Sequence, residues 1–143
     1  MAATAFLLYN SAKKYIAKGT IVLGTTVLKM KLCTSASNAS TFTLSTFASV
    51  TSEVAGGGYV ANGKALASMI VTAGASAKQE KFGAANIIYS AVGSSIVNIK
   101  FAVVGVSGGK ALCWSKISTA QFTVTNGNTL TVAFASQGIF TLT

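Results

Sequence analysis

The chain predicts a mainly β fold: an antiparallel β-sandwich, jelly-roll-like, with one short N-terminal helix. Three observations lead there. Short runs with period-two alternation recur along most of the 143 residues. Glycine-rich and Asn-Gly turn signals separate those runs at near-regular intervals. One stretch near the start follows a helical period instead. A single domain spanning 1–143 is expected, with a helical segment over about 9–18 and a β core over about 20–143. A chain of this size buries roughly two-thirds of its surface, and 51% hydrophobic residues supply ample core material.

Leu8, Ala12, Tyr15 and Ile16 have the i, i+4, i+7, i+8 spacing of one apolar helix face. Lys13, Lys14 and Lys18 fall on the other side. Asn10 can cap the start, and Gly19 suits the position past the end. In 27–33, Leu28, Met30 and Leu32 alternate with Lys29 and Lys31, which reads as a half-buried strand with one wet face. Segment 34–48 is Ser/Thr-rich but carries Phe42, Leu44 and Phe47, so it is an irregular connection with aromatics to bury.

Gly56-Gly57-Gly58 lacks the Lys-Ser/Thr pair and the helical pattern that a phosphate-cradling loop requires. Asn62-Gly63 is a turn, and strands are expected over 64–72, about 80–90, 96–106 and 110–117. Gln121–Thr125 and Thr129–Phe134 alternate cleanly about Asn126-Gly127-Asn128, the strongest hairpin signal in the chain. The tail from Gly138 can add a last strand. The total is about seven or eight strands in an antiparallel sandwich or barrel.

The chemical inventory excludes most catalysis. Glu53 and Glu80 are the two acidic residues, and Asp, His, Arg and Pro are absent from the sequence. General acid/base work needs histidine or a tuned carboxylate pair. Zinc needs three or four Cys, His or carboxylate ligands, and calcium or magnesium several carboxylates. No catalytic residue, metal ligand set or cofactor site is expected. Cys33 and Cys113 lie in apolar, strand-like runs and are expected as buried free thiols. Without a CxxC spacing or a histidine they make neither a metal site nor a catalytic pair. No basic segment precedes the first apolar residues, so no secretory signal is expected. The most hydrophobic region, 86–106, is broken by Ser90, Ser94, Ser95, Asn98 and Lys100, so no membrane span is expected.

Charged residues are 9% of the chain, against roughly 25% in an average soluble domain. A surface so poor in charge favours assembly. The net charge of +9 serves solubility in the plainer reading and an acidic partner in the sharper one. Nucleic acid is disfavoured because arginine, the bidentate reader of phosphate and guanine, is missing. The candidate partner-contact residues are Lys13, Lys14 and Lys18 on the helix, with Lys29 and Lys31 on the first long strand. Trp114, flanked by Cys113 and Ser115, reads as a core residue rather than a glycan platform.

Several segments carry a resemblance. They are Tyr9-Asn10-Ser11-Ala12-Lys13-Lys14-Tyr15-Ile16-Ala17-Lys18-Gly19-Thr20-Ile21, Leu32-Cys33-Thr34-Ser35, Ser52-Glu53-Val54-Ala55-Gly56-Gly57-Gly58-Tyr59 and Gly63-Lys64-Ala65-Leu66. A Phe122-Thr123-Val124 strand and a terminal Gly138-Ile139-Phe140-Thr141-Leu142-Thr143 complete the series. In this order they resemble small virion proteins of tailed bacteriophages, and among those the capsid decoration, or cement, proteins. The relatives' Asp-rich turns are replaced here by Ser, Ala, Gly or Lys. The resemblance implies a non-enzymatic structural component on the outside of the virion capsid. Its implied partners are the major capsid protein or other virion proteins and further copies of itself, as a dimer or trimer. A tail or fibre component, or a host-glycan-binding module of the virion, is the alternative that the same pattern allows.

Overall fold

Alternating apolar runs bounded by glycine turns give twelve short strands and one helix among the described residues, 5–143 of a computed structural model. In chain order these are β1 (Leu7–Leu8), α1 (Asn10–Ala17), β2 (Lys29–Cys33), β3 (Lys64–Ala65) and β4 (Ile70–Ala73). Then come β5 (Glu80–Gly83), β6 (Ile87–Ser90), β7 (Ile96–Ile99), β8 (Phe101–Gly105) and β9 (Ala111–Lys116). The last are β10 (Phe122–Val124), β11 (Thr129–Val132) and β12 (Phe140–Leu142). The fold is mainly β and antiparallel, as the sequence predicts.

The main sheet has five strands in the order β1-β9-β8-β2-β3, and a three-stranded sheet runs β12-β5-β4. Two ribbons, β6·β11 and β7·β10, complete the framework. From Glu80 onward the pairing is nested: β8 with β9, β7 with β10, β6 with β11 and β5 with β12. The second half of the chain is therefore one long antiparallel hairpin bent over on itself, the pairing order from which jelly rolls are built.

That nesting corrects the reading of Asn126-Gly127-Asn128. A turn is there, closed by Asn128 N–H to Thr125 O at 3.0 Å. The strands flanking it do not pair with each other, since β10 pairs β7 and β11 pairs β6. Gly127 N–H and Ala91 O, with Ala91 N–H and Asn128 O, instead tie the turn to the β6–β7 connection. The motif is a corner of the bent hairpin.

The expected runs over 64–72, 80–90 and 96–106 each divide in two. Ser68, between β3 and β4, adopts left-handed backbone (φ 52°) that interrupts the first run, whereas Asn98 adopts it within β7 (φ 62°), where the register against β10 shifts. The helix also differs in detail. Tyr9 occupies the N-cap with no side-chain cap bond, so Asn10 is the first helical residue rather than the cap. Leu8 belongs to β1 instead of the helix face. Gly19 closes the helix as expected, in left-handed backbone with its N–H on Ile16 O.

One apolar cluster joins these elements, with Leu28, Met30, Leu32, Ile96, Ile99, Leu112 and Ile139 fully enclosed. Cys33 and Cys113 lie within it as free thiols. Burial pushes the Cys33 thiol up to about 12 and Cys113 well above its ordinary value.

Candidate partner-binding surface

Helix α1 is fixed to the sandwich at its start. Tyr9 is enclosed; it donates its backbone N–H to Leu112 O (3.1 Å) and its phenol O–H to Ala39 O (2.6 Å). Asn10 N–H bonds Phe42 O at 3.0 Å. Ala12 faces the core, with Tyr15 and Ile16 packed against it. Lys13, Lys14 and Lys18 point outward and are exposed. A cation from a distant turn also reaches the helix, the Lys110 ammonium lying 5.1 Å from the centre of the Tyr15 ring. No periodicity in the sequence links Lys110 to the helix.

Beside the helix, Lys13 borders a shallow groove of about 310 Å³ that Leu7, Phe42 and Phe140 also line. Leu7 and Phe42 are 46% and 45% exposed, unusual for such large apolar side chains. The arrangement is an apolar surface with one cation, Lys13, at its rim.

The strand lysines are placed differently. Lys29 is half-buried on β2, opposite Gly105 on one side and Ala65 on the other. Lys31 is 2% exposed, so the wet face expected for this strand is absent there. Its ammonium donates to Phe47 O (3.1 Å), lies 4.1 Å from the centre of the Phe47 ring and stands 3.9 Å from Glu53 Oε2. The reason is folding at a distance. The 34–48 connection lays Phe47 over β2, and Cys33 bridges to Glu53. Lys31 has no surface to present to a partner, which corrects its place among the contact residues.

Glu53 also binds the other way. Its Oε1 accepts the Tyr59 O–H at 2.7 Å, while the Tyr59 oxygen accepts Leu32 N–H at 3.0 Å. Tyr59 stacks on Tyr89 with ring centres 5.8 Å apart, and Tyr89 donates to Met30 O at 2.7 Å. Burial first, and the neighbouring Glu53 second, hold both phenols well above the ordinary phenol range. Three glycines make this possible. Gly56, Gly57 and Gly58 all have positive φ, and a Cβ on Gly57 would sit 2.6 Å from Ile96 Cγ1 and 2.8 Å from Ser94 O. The triple glycine turns Glu53 and Tyr59 back onto β2. This cluster sets neutral phenols around an ion pair between the buried Lys31 and the half-buried Glu53, and it serves the fold.

Trp114 lies half-buried on β9, edge-on to Phe42 (5.9 Å) and Phe101 (6.0 Å). Its Nε1 is buried and finds no acceptor among the described residues, so it offers no donor to a sugar. No group of three or more His, Cys, Asp or Glu side chains that would hold a metal ion occurs among the described residues. No described helix is long and apolar enough to cross a membrane. Compared with family models, curated proteins and solved structures, the chain matches none of them.

Proposed function

We propose that this chain is a non-enzymatic structural protein of a tailed-phage virion, a decoration or cement protein that binds the outer surface of the head and stabilises capsomer contacts. The observation that carries the reading is the exposed cationic face of α1. Lys13, Lys14 and Lys18 stand together there in a chain with two carboxylate side chains, one of which is engaged with Lys31. Such a face seeks an acidic macromolecular surface. The neighbouring groove at Leu7 and Phe42 supplies the apolar anchor that cations at a rim do not. The segment-by-segment resemblance to phage virion proteins supports reading that acidic surface as a capsid shell.

In this reading a rigid sandwich presents the helix to the shell, and each copy buries about 1,200–2,000 Å² in total. The lysines set encounter rate and register, and the aromatic groove supplies most of the affinity. Many copies, each linking neighbouring capsomers, share the load of packaged DNA.

The test is co-sedimentation of the purified protein with expanded, empty heads over a salt series. Binding to the head exterior that weakens as salt rises is the expected result. Failure to bind heads, with binding to isolated tails or to cell-surface polysaccharide instead, would replace this reading by the tail or glycan-binding one.

A further inference from the structure

The outermost strand of the three-stranded sheet, β4, pairs with β5 alone. The Gly74 N–H to Gln79 O bond (2.7 Å) fixes the phase of that ladder. In an antiparallel pair hydrogen-bonded and non-bonded positions alternate, so 70, 72 and 74 turn their backbone groups toward β5. Val71 and Ala73 turn theirs outward. Both residues are exposed, as is Ile70 (56%) on the opposite face of the strand.

Natural sheets blunt such an edge with lysine, proline or a bulge. Elsewhere this chain does so: β3 begins with Lys64, whose ammonium caps Ile88 O on β6 at 2.6 Å. The run 65–77, which contains β4, has no charged residue and no proline. An open, neutral, apolar edge is where another strand adds.

We propose that β4 is a self-association edge, pairing antiparallel with β4 of a second copy about a two-fold axis at Thr72. Charge selects that occupant. A neutral stretch gives an acidic or basic strand no counter-charge, whereas a second copy meets it with the same neutral run. Across the rest of the surface two chains of net charge +9 repel each other. A two-fold contact is self-complementary. Here it sets Val71 against the partner's Ala73, doubling the hydrogen-bonded pairs, and Ile70 against the partner's Gly74, a large residue over a small one. Thr72 meets the partner's Thr72 as a non-bonded pair, where side chains approach most closely. The two three-stranded sheets become one of six strands. This inference does not depend on the capsid reading.

Two variants and salt test it, with mass measured by light scattering across a concentration series. Ala73→Pro removes an outward N–H that the β4–β5 ladder does not use, and proline is tolerated on an edge facing solvent. Thr72→Cys places two thiols on the axis, while Cys33 and Cys113 stay buried. We expect a dimer of the 14.5 kDa chain that strengthens as salt screens the mutual repulsion. Ala73→Pro should weaken it by about tenfold or more with an unchanged thermal melt at concentrations low enough for both proteins to be monomeric, and oxidised Thr72→Cys should run as a disulfide-linked dimer. A monomer at every salt concentration, a dimer indifferent to Ala73→Pro, or a Thr72→Cys dimer that does not cross-link would overturn the proposal. None of these outcomes bears on binding to heads, so the two proposals fail separately.

Discussion

The lysines of helix α1 and the lysine at the centre of β2 stand under opposite physical conditions in one chain. Lys13, Lys14 and Lys18 keep their hydration and face outward, where an approaching acidic surface can displace water from them. Lys31 has exchanged its hydration for a carbonyl, a carboxylate and an aromatic face. A buried ammonium is tolerated only when such partners surround it. The contrast teaches that net charge is a poor guide to a binding surface until burial is known. In the proposed reading the helix cations are the partner contacts, whereas the strand cation is part of the fold.

Disturbing the buried region should have the larger effects on stability. The broadest is alkaline. Tyr9, Tyr59 and Tyr89 are held above the ordinary phenol value of 10.0, and Cys33 and Cys113 above the ordinary thiol value of 9.0, each mainly by burial. Above those ordinary values the folded chain retains protons that the unfolded chain has released, so stability falls as pH rises. The decline should begin near pH 9 to 10 and reach about 1.4 kcal/mol per pH unit for each group still protonated. Urea midpoints measured between pH 7 and 11 check it.

Next is Glu53→Ala, which strands the buried Lys31 ammonium and the Tyr59 hydroxyl. It should cost about 3 kcal/mol, seen as a fall in Tm of roughly 10 °C. Replacing Lys31 and Glu53 together by methionine and leucine should recover much of that loss, because no lone charge is left inside. Gly57→Ala follows at about 2 kcal/mol, since the added methyl meets Ile96 and the Ser94 carbonyl in left-handed backbone. Smallest is Lys13→Glu with Lys14→Glu, at about 0.5 kcal/mol. Its stability cost is the loss of a favourable cation near the helix C-terminus. Thermal melts of all four variants rank the two regions directly.

Much of this architecture can be read from the chain. The helix with its closing glycine, strands β2 and β9, the Asn62-Gly63 turn and the buried thiols follow from spacing and local backbone preference. What escapes is non-local. Asn126-Gly127-Asn128 makes the turn its residues demand, yet pairing is decided by strands more than twenty residues away. The Leu-Lys-Met-Lys-Leu pattern of β2 marks one polar face but cannot say whether water or Glu53 and Phe47 will cover it. At the candidate surface, the helix lysines are legible from periodicity. The Leu7 and Phe42 groove and the approach of Lys110 to Tyr15 exist only once the chain has folded.

The central claim is that exposed helix cations bind a shell while the buried one holds the fold. Copy number per empty head, counted by electron microscopy for wild-type protein and for Lys13→Glu with Lys14→Glu, tests it most directly. The account predicts ordered decoration of the head exterior by the wild type, and near-complete loss of occupancy in a variant whose melt is almost unchanged. Full decoration by the variant, or no density on the head with either protein, would contradict it.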